Sequence, residues 1–281
     1  MLAEKLSPSC ELNAADPCRD ETIVEFSREG LRSRTFKILR EEPLSIRVQG
    51  APYAVVMRTP GDEIAHVVGF CLGEGIIDTY ADIKQIACCD GADSNVVTVV
   101  LSPARVLKAG TVLERRGYIS QSSCGICGKE VVQDLIQSVQ PLQNNLLVTW
   151  DDLQQCMTRL SQCQSLYPAT HASHAAVAFN AELQPLAVGE DVGRHNAVDK
   201  AIGKLIITGA LDDTACLVMS SRISYELVQK VGRARIPIVV AISRPTSLAV
   251  DLARKLNITL VCIPDDHTLL VYSAPYRIRP A

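Results

Sequence analysis

Apolar residues recur at every second position in Leu44-Ser45-Ile46-Arg47-Val48, and Gln49-Gly50-Ala51-Pro52 separates them from Tyr53-Ala54-Val55-Val56. Alternation broken by a Gly/Pro turn predicts a β-hairpin over 44–56. Thr59-Pro60-Gly61-Asp62-Glu63 follows. A proline near the start and acids in the first turn are helix-start chemistry, so 64–73 is predicted helical. Two further strands are predicted over 83–89 and 95–101, with Gly91-Ala92-Asp93-Ser94 between them. Val131, Val132, Leu135, Ile136 and Val139 fall close to helical spacing and predict a short helix over 129–139, stopped by Pro141. Another helix is predicted over 150–160. The pattern then changes. The stretches 174–179 and 183–188 read as a hairpin, and 215–219, 238–242 and 259–263 are apolar runs of strand length. Helices are predicted over 196–207, 224–234 and 247–256. Near-continuous apolar strands alternating with helices argue for a parallel sheet covered on both faces.

The predicted fold class is therefore α/β. The order strand, strand, helix, strand, strand suggests a small α+β roll similar to the β-grasp arrangement, followed by a layered α/β unit. The expected organisation is a polar tail over 1–20, a small α+β domain over 21–120, a connection over 121–165 and the α/β domain over 166–281. A chain of 281 residues with 47% hydrophobic content can bury a sizeable core. Its 28 basic and 31 acidic side chains leave a net charge of −3, which argues against a nucleic-acid partner, because neutralising phosphates needs a Lys/Arg excess. No apolar run approaches the roughly 20 residues of a bilayer span, and residues 1–10 lack the apolar core of a signal peptide. A cytoplasmic protein without a membrane partner is expected. In that setting most of the 11 cysteines should be reduced. Cys71, Cys216 and Cys262 sit in apolar runs and suit small core hydrophobes. Cys88, Cys89, Cys156 and Cys163 have no informative spacing, and Cys10 and Cys18 fall in the tail.

In an open α/β sheet, ligands bind beyond the carboxyl ends of the strands. Those ends carry Gly189-Glu190-Asp191-Val192-Gly193-Arg194-His195-Asn196, then Ser220-Ser221-Arg222, Ser243-Arg244-Pro245-Thr246-Ser247 and Pro264-Asp265-Asp266-His267. If the strands are parallel, the last three loops share one edge. Serines and arginines at helix N-termini favour an anionic ligand, since free N–H groups and the helix dipole point there. Plain capping explains Ser224 and Ser247 well. It explains Arg222 less well, and the stretch from Glu190 to Asn196 holds more polar groups than one cap requires. Within that stretch, Asp191 with Arg194, or His195 bonded to backbone, could lock the turn.

One cysteine pair stands apart, in Ser122-Ser123-Cys124-Gly125-Ile126-Cys127-Gly128-Lys129. A structural zinc site needs four ligands. His171 and His174 could join the two thiols, but they lead into a strand. Dithiol redox chemistry suits a CxxC at a helix start, although the usual flanking βαβ unit is missing. Sulfur carriage as a persulfide needs an exposed, mobile thiolate. Gly125 and Gly128 supply backbone freedom, while Lys129 and a following helix N-terminus favour the ionised form. Two idle thiols remain a fourth possibility. The motif alone does not choose among these.

The combination of Ser123-Cys124-Gly125-Ile126-Cys127-Gly128-Lys129 with Glu190-Asp191-Val192-Gly193-Arg194-His195-Asn196-Ala197-Val198-Asp199-Lys200 resembles the FdhD/NarQ family of formate dehydrogenase accessory sulfurtransferases. Met57-Arg58-Thr59-Pro60-Gly61-Asp62, Gly73-Glu74-Gly75-Ile76-Ile77, Ser224-Tyr225-Glu226 and Pro245-Thr246-Ser247-Leu248-Ala249 extend the likeness. The resemblance implies a cytoplasmic homodimer whose second domain has a cytidine-deaminase-like three-layer α/β fold. It implies sulfur transfer from a cysteine desulfurase to the molybdenum cofactor, in its bis-guanine-dinucleotide form, for formate dehydrogenase or a related molybdenum or tungsten enzyme. Cys124 matches the persulfide cysteine and Cys127 its partner. Gly193, Arg194, His195, Asn196, Ser221, Arg222, Ile263, Pro264, Asp265, Asp266, His267 and Thr268 fall where the cofactor would bind. No permanently bound metal is expected. A cofactor-holding chaperone and a CxxC thiol oxidoreductase are the alternatives, with a zinc-bound deaminase-like enzyme further off. Three departures fall on or near the presumed ligand edge: Ser220-Ser221-Arg222 replaces a serine–glycine–arginine loop, His171 with Ala172 or Ser173 replaces a glycine pair before His174, and Asp265 and Asp266 stand where an arginine is usual. Such acids would repel phosphates.

Overall fold

The computed structural model of the chain describes residues 16–88, 95–114, 139–143 and 146–279. Cys124, Cys127 and the helix predicted from position 129 lie outside these residues. Strands β1 (Cys18–Ser27) and β2 (Gly30–Leu39) form a two-stranded antiparallel ribbon. The hydrophobic pattern gave no sign of it, because nearly every side chain on both faces is exposed and no period-two burial marks the strands.

Strands β3 (Glu42–Val48) and β4 (Ala51–Arg58) make the expected hairpin. Its turn is shorter than predicted: Gln49 and Gly50 alone connect the strands, at φ 53° and 77°. Two successive positive φ values are what a type I′ turn needs to match the twist of the strands it joins. Helix α1 (Glu63–Gly73), strands β5 (Ile83–Cys88) and β6 (Val96–Leu101), and helix α2 (Pro103–Glu114) follow. The predicted strand–strand–helix–strand–strand succession is the observed one. The four strands lie in the order β4-β3-β6-β5, with β3 and β6 parallel at the centre. Leu44, Ile46, Val48, Val97 and Val99 are buried in one cluster with Val67, Val68 and Leu72 of α1.

The second half begins with β7 (Val148–Thr149) and α3 (Trp150–Cys163), whose N-terminus carries a reciprocal cap between Thr149 and Asp152. A short helix α4 (Tyr167–Thr170) leads to β8 (His174–Phe179), β9 (Pro185–Asp191) and α5 (Arg194–Thr208). Then come β10 (Cys216–Met219), α6 (Tyr225–Arg233), β11 (Ile238–Ala241), α7 (Ser247–Leu256), β12 (Thr259–Asp265), β13 (Thr268–Ser273) and β14 (Ile278–Arg279). Six strands form a sheet in the order β13-β12-β11-β10-β8-β9. Only β10, β11 and β12 are mutually parallel; β8, β9 and β13 run antiparallel to their neighbours. The expected parallel sheet is therefore the middle of a mixed one.

Alternation along these strands sorts two layers. Ala175, Val177, Phe179, Cys216, Val218 and Val240 pack with Leu153, Cys156 and Leu160 of α3. Ala176, Ala178, Leu217, Met219 and Val239 belong to the cluster containing α5, α6 and α7. That cluster continues into α1 and the four-stranded sheet, so one apolar core joins both halves. The joint is a glycine crossing. A Cβ on Gly69 would lie 1.9 Å from the Asp199 carbonyl oxygen, and one on Gly203 would lie 1.7 Å from that of Ala65. The backbones of α1 and α5 touch there because neither residue carries a side chain.

Cys18, Cys71, Cys156, Cys163, Cys216 and Cys262 are free thiols, in keeping with the expectation that most cysteines are reduced, and Cys88 is disulfide-bonded. Among the described residues no helix is long and apolar enough to cross a membrane.

Candidate binding edge

The stretch from Glu190 to Lys200 falls into a buried half and an open half. In the buried half, the Asp191 carboxylate at the end of β9 is fully shielded. It accepts the N–H groups of Thr59 (3.0 Å) and Gly193 (2.9 Å) and the Asn196 side-chain amide (2.8 Å). Lys200, one turn and a half into α5, places Nζ 2.8 Å from the same carboxylate and donates to the carbonyls of Thr59 (2.8 Å) and Glu190 (3.1 Å). Val192 N–H donates to Thr59 Oγ1, and Asn196 donates to the Met57 carbonyl. Every polar group is paired, which is the condition for keeping charge inside a protein. The lock joins the segment after β4 to the loop before α5, across 132 residues of chain. The ion pair suggested between Asp191 and Arg194 is not made; Lys200 takes the carboxylate. Gly193 and Asn196 belong to this bracket, and a Cβ on Gly193 would press to 2.9 Å from Asn196 Nδ2. Glu190 is occupied as well, accepting from the N–H groups of Ser165, Leu166 and Tyr167 and the hydroxyls of Ser165 and Ser173. It thereby holds the start of α4 against β9.

The open half begins at Arg194. Its Nε is buried without a hydrogen-bond partner. Burial, then the neighbouring Arg222 cation, pushes the Arg194 guanidinium below the usual arginine range. Arg222, after β10, is exposed. Two guanidiniums that repel one another, with the Glu226 carboxylate as a partial counter-charge on Arg194, form a receptive place for an anion. Among the described residues, His195 is not bonded to backbone as suggested. Its Nε2 lies 3.3 Å from Ser224 Oγ and 3.8 Å from Glu226 Oε2. Burial lowers the His195 pKa, against the raising influence of Glu226. The Glu226 carboxyl is held down to about 2, first by its interaction with His195. His174, at the start of β8, is also pushed down by burial and by Arg194. Because β8 runs antiparallel to β10, the start of β8 and the end of β10 meet at one edge, where Ser220 Oγ accepts the Ala175 N–H at 2.9 Å. His174, Ser224 and Glu226 therefore belong with Arg194, His195 and Arg222, although nothing in their sequence spacing links them.

The remaining predicted residues lie further along this edge. Ser221 is buried and donates to the Arg222 carbonyl. The loops after β10 and β11 are tied together by Thr246 N–H donating to the Ile223 carbonyl. Ile263 is buried in β12, while Pro264, Asp265, Asp266 and His267 are exposed. Asp265 pairs with Thr268 across the β12–β13 turn, and its carboxylate accepts the His267 N–H at 2.9 Å. The backbone and side-chain hydrogen bonds it accepts from His267 and Thr268 lower its pKa. This acid builds a turn rather than facing the arginines. Four strand spacings separate β9 from β12, about 19 Å at 4.8 Å each. The edge can thus seat an extended anionic ligand but cannot close both ends on a small one.

His171 caps α4 at φ 51° and stacks edge-on with Tyr167. Among the described residues, no three His, Cys, Asp or Glu side chains are grouped to hold a metal ion.

Two sheets packed about a shared helical layer, with arginines and histidines at one strand edge, define a mixed α/β protein. The chain belongs to the FdhD/NarQ family, whose profile matches residues 39–279. It is 38% identical over 272 residues to the sulfur carrier protein FdhD of Streptomyces avermitilis, covering 91% of this chain and 94% of that one. It is 35% identical over 266 residues to the sulfur carrier protein FdhD of Xanthomonas campestris pv. campestris, covering 93% and 94%. The crystal structure of a Desulfotalea psychrophila protein, provisionally assigned as a formate dehydrogenase accessory protein, shares the fold. Its TM-score is 0.76 at 22% identity, over 94% of this chain and 100% of that one.

Proposed function

We propose that this chain is a sulfur carrier in formate dehydrogenase maturation, loading a persulfide on Cys124 and passing that sulfur to the molybdenum cofactor in bis-guanine-dinucleotide form. The observation that carries the reading is the likeness to proteins named sulfur carrier protein FdhD over more than nine-tenths of the chain. In the loading step, the Cys124 thiolate attacks the outer sulfur of a persulfide on a cysteine desulfurase. The donor's S–S bond breaks, its thiolate leaves, and a new S–S bond forms on Cys124 with no net oxidation. Cys127 assists or resolves the persulfide. The cofactor is cargo. Its phosphates fit the Arg194–Arg222 edge, with Ser221 and the β12–β13 turn over 263–268 flanking it, and Gly193 and Asn196 fixing the loop that presents Arg194. The client is formate dehydrogenase or a related molybdenum or tungsten enzyme.

The same reading takes the protein as a cytoplasmic homodimer, with a β-grasp-like unit over 21–120, the cysteine segment over 121–165 and a cytidine-deaminase-like unit over 166–281. The test is sulfur loading. Incubation with a cysteine desulfurase and cysteine, followed by intact mass, should show an added sulfur that is lost in Cys124→Ala. Equal loading of that variant would overturn the role of Cys124. Full maturation of formate dehydrogenase by the variant would favour a cofactor-holding chaperone instead.

A further inference from the structure

The β1–β2 ribbon is exposed on both faces along most of its length. A lone two-stranded ribbon is marginal in water and needs a third layer or strand. Period-two alternation separates its faces. One carries Arg19, Glu21, Ile23 and Glu25 with Arg32, Arg34, Phe36 and Ile38. Its charges are satisfied within the ribbon: Arg19 pairs with Glu21, Arg34 with Glu25, and the Arg34 guanidinium covers the Phe36 ring at 5.1 Å. The other face carries Val24 and Phe26 opposite Ser33 and Leu31, then Thr22 opposite Thr35, and Asp20 opposite Lys37. Phe26 is 80% exposed, Leu31 64% and Val24 57%. The outer half of that face holds no charge, and the base holds one of each sign on different strands.

We propose that this face is a dimerisation arm that stacks on the same face of a second copy about a two-fold axis along the ribbon. That operation places β1 of one copy over β2 of the other. Phe26 then meets Leu31 of the second copy, and Asp20 meets its Lys37, each contact occurring twice as an isologous interface demands. The complementarity selects a second copy as occupant: a neutral apolar tip meets a neutral apolar tip, and acid meets base at the foot. The other two-fold, with its axis across the strands and β1 over β1, reverses the second ribbon and would set the charged foot of one copy, Asp20 and Lys37, against the apolar tip of the other. The inference rests on the homodimeric reading above and names the surface responsible.

Sedimentation equilibrium of the full chain tests it. The wild type should be dimeric, and Phe26→Glu should weaken the dimer at least tenfold with an unchanged circular dichroism spectrum, since the side chain lies outside the core. Asp20→Lys and Lys37→Asp should each weaken self-association, while an equimolar mixture of the two should recover it, because both contacts are then complementary. A purely structural role for either residue gives no recovery on mixing. A monomeric wild type overturns the homodimer and the arm together. A dimer indifferent to Phe26→Glu, or charge variants that fail to recover on mixing, overturns the arm while leaving the homodimer in place.

Discussion

Lys200 and Asp191 form an ion pair of 2.8 Å with both side chains almost fully buried, and both also bind Thr59 from the other half of the molecule. The pair therefore fixes the loop that presents Arg194 and His195 and ties that loop to the segment following β4. Removing one member leaves the other charged, buried and unpaired, which costs about 3–5 kcal/mol. Lys200→Met should lower the free energy of urea unfolding by that amount. Asp191→Ala should do the same. A change below about 1 kcal/mol in either variant would show that the lock is incidental.

The Gly69–Gly203 crossing makes a second stability prediction. Gly69→Ala would drive a Cβ against the Asp199 carbonyl, and Gly203→Ala against that of Ala65. Both obstacles are backbone, so neither can rotate away. Each variant should lose at least 1–3 kcal/mol, the usual range for overpacking. Gly110→Ala in α2 supplies the control, because nothing lies within 4 Å of its added Cβ. That change should stabilise by up to about 1 kcal/mol through helix propensity. Thermal melts of the three variants decide it; equal behaviour of Gly69→Ala and Gly110→Ala would refute the close crossing.

These two relationships mark where sequence reading stops. The strands β10, β11 and β12 and the helices α5, α6 and α7 were legible because burial on both faces of a sheet writes continuous apolar runs. Their parallel order brought Arg222 and Arg244 to the predicted edge. The ribbon β1–β2 was not legible, since strands without a buried face carry no period. The strand β13 was missed for a related reason: its residues from Thr268 to Tyr272 are only half-buried. Lys200 belongs to a recognisable motif, yet its partner Thr59 lies 141 residues away, and no local pattern predicts a contact at that separation. The sequence places Asp265 beside the arginines as a repelling acid, but the tight β12–β13 turn directs its carboxylate onto its own backbone, a contact that no residue pattern marks.

Anion binding at the edge gives a third prediction. Titration with GDP as a nucleotide surrogate should show saturable binding that weakens by tenfold or more in Arg222→Ala, the loss expected when a hydrogen bond to a charged group is removed. Arg194→Ala should weaken it comparably. Asp266→Arg should leave the fold intact and raise affinity, because it replaces an exposed acid at the far end of the edge with a cation. If Arg222→Ala binds GDP as tightly as the wild type, the edge is not the phosphate site.

The imidazoles make that affinity depend on pH. Burial holds His195 below its usual value of 6.5, and Glu226 partly opposes the shift. Near pH 7 the ring is therefore neutral, and it gains a positive charge as pH falls. A bound anion favours the charged ring, so GDP affinity should rise as pH drops from 7.5 through 6. For folding, the sign is reversed. The unfolded chain binds this proton more tightly than the folded one, so the stability contributed by neutral His195 is complete above 6.5 and declines as pH falls below it. Removing the carboxylate in Glu226→Gln takes away the raising influence and should move the His195 titration further down. Two-dimensional NMR of the ring nitrogens reads this directly. A midpoint at or above 6.5 in the wild type would show that burial does not govern this histidine, an upward movement in Glu226→Gln would show that the carboxylate does not raise it, and in either case the pH dependence of binding would need another origin.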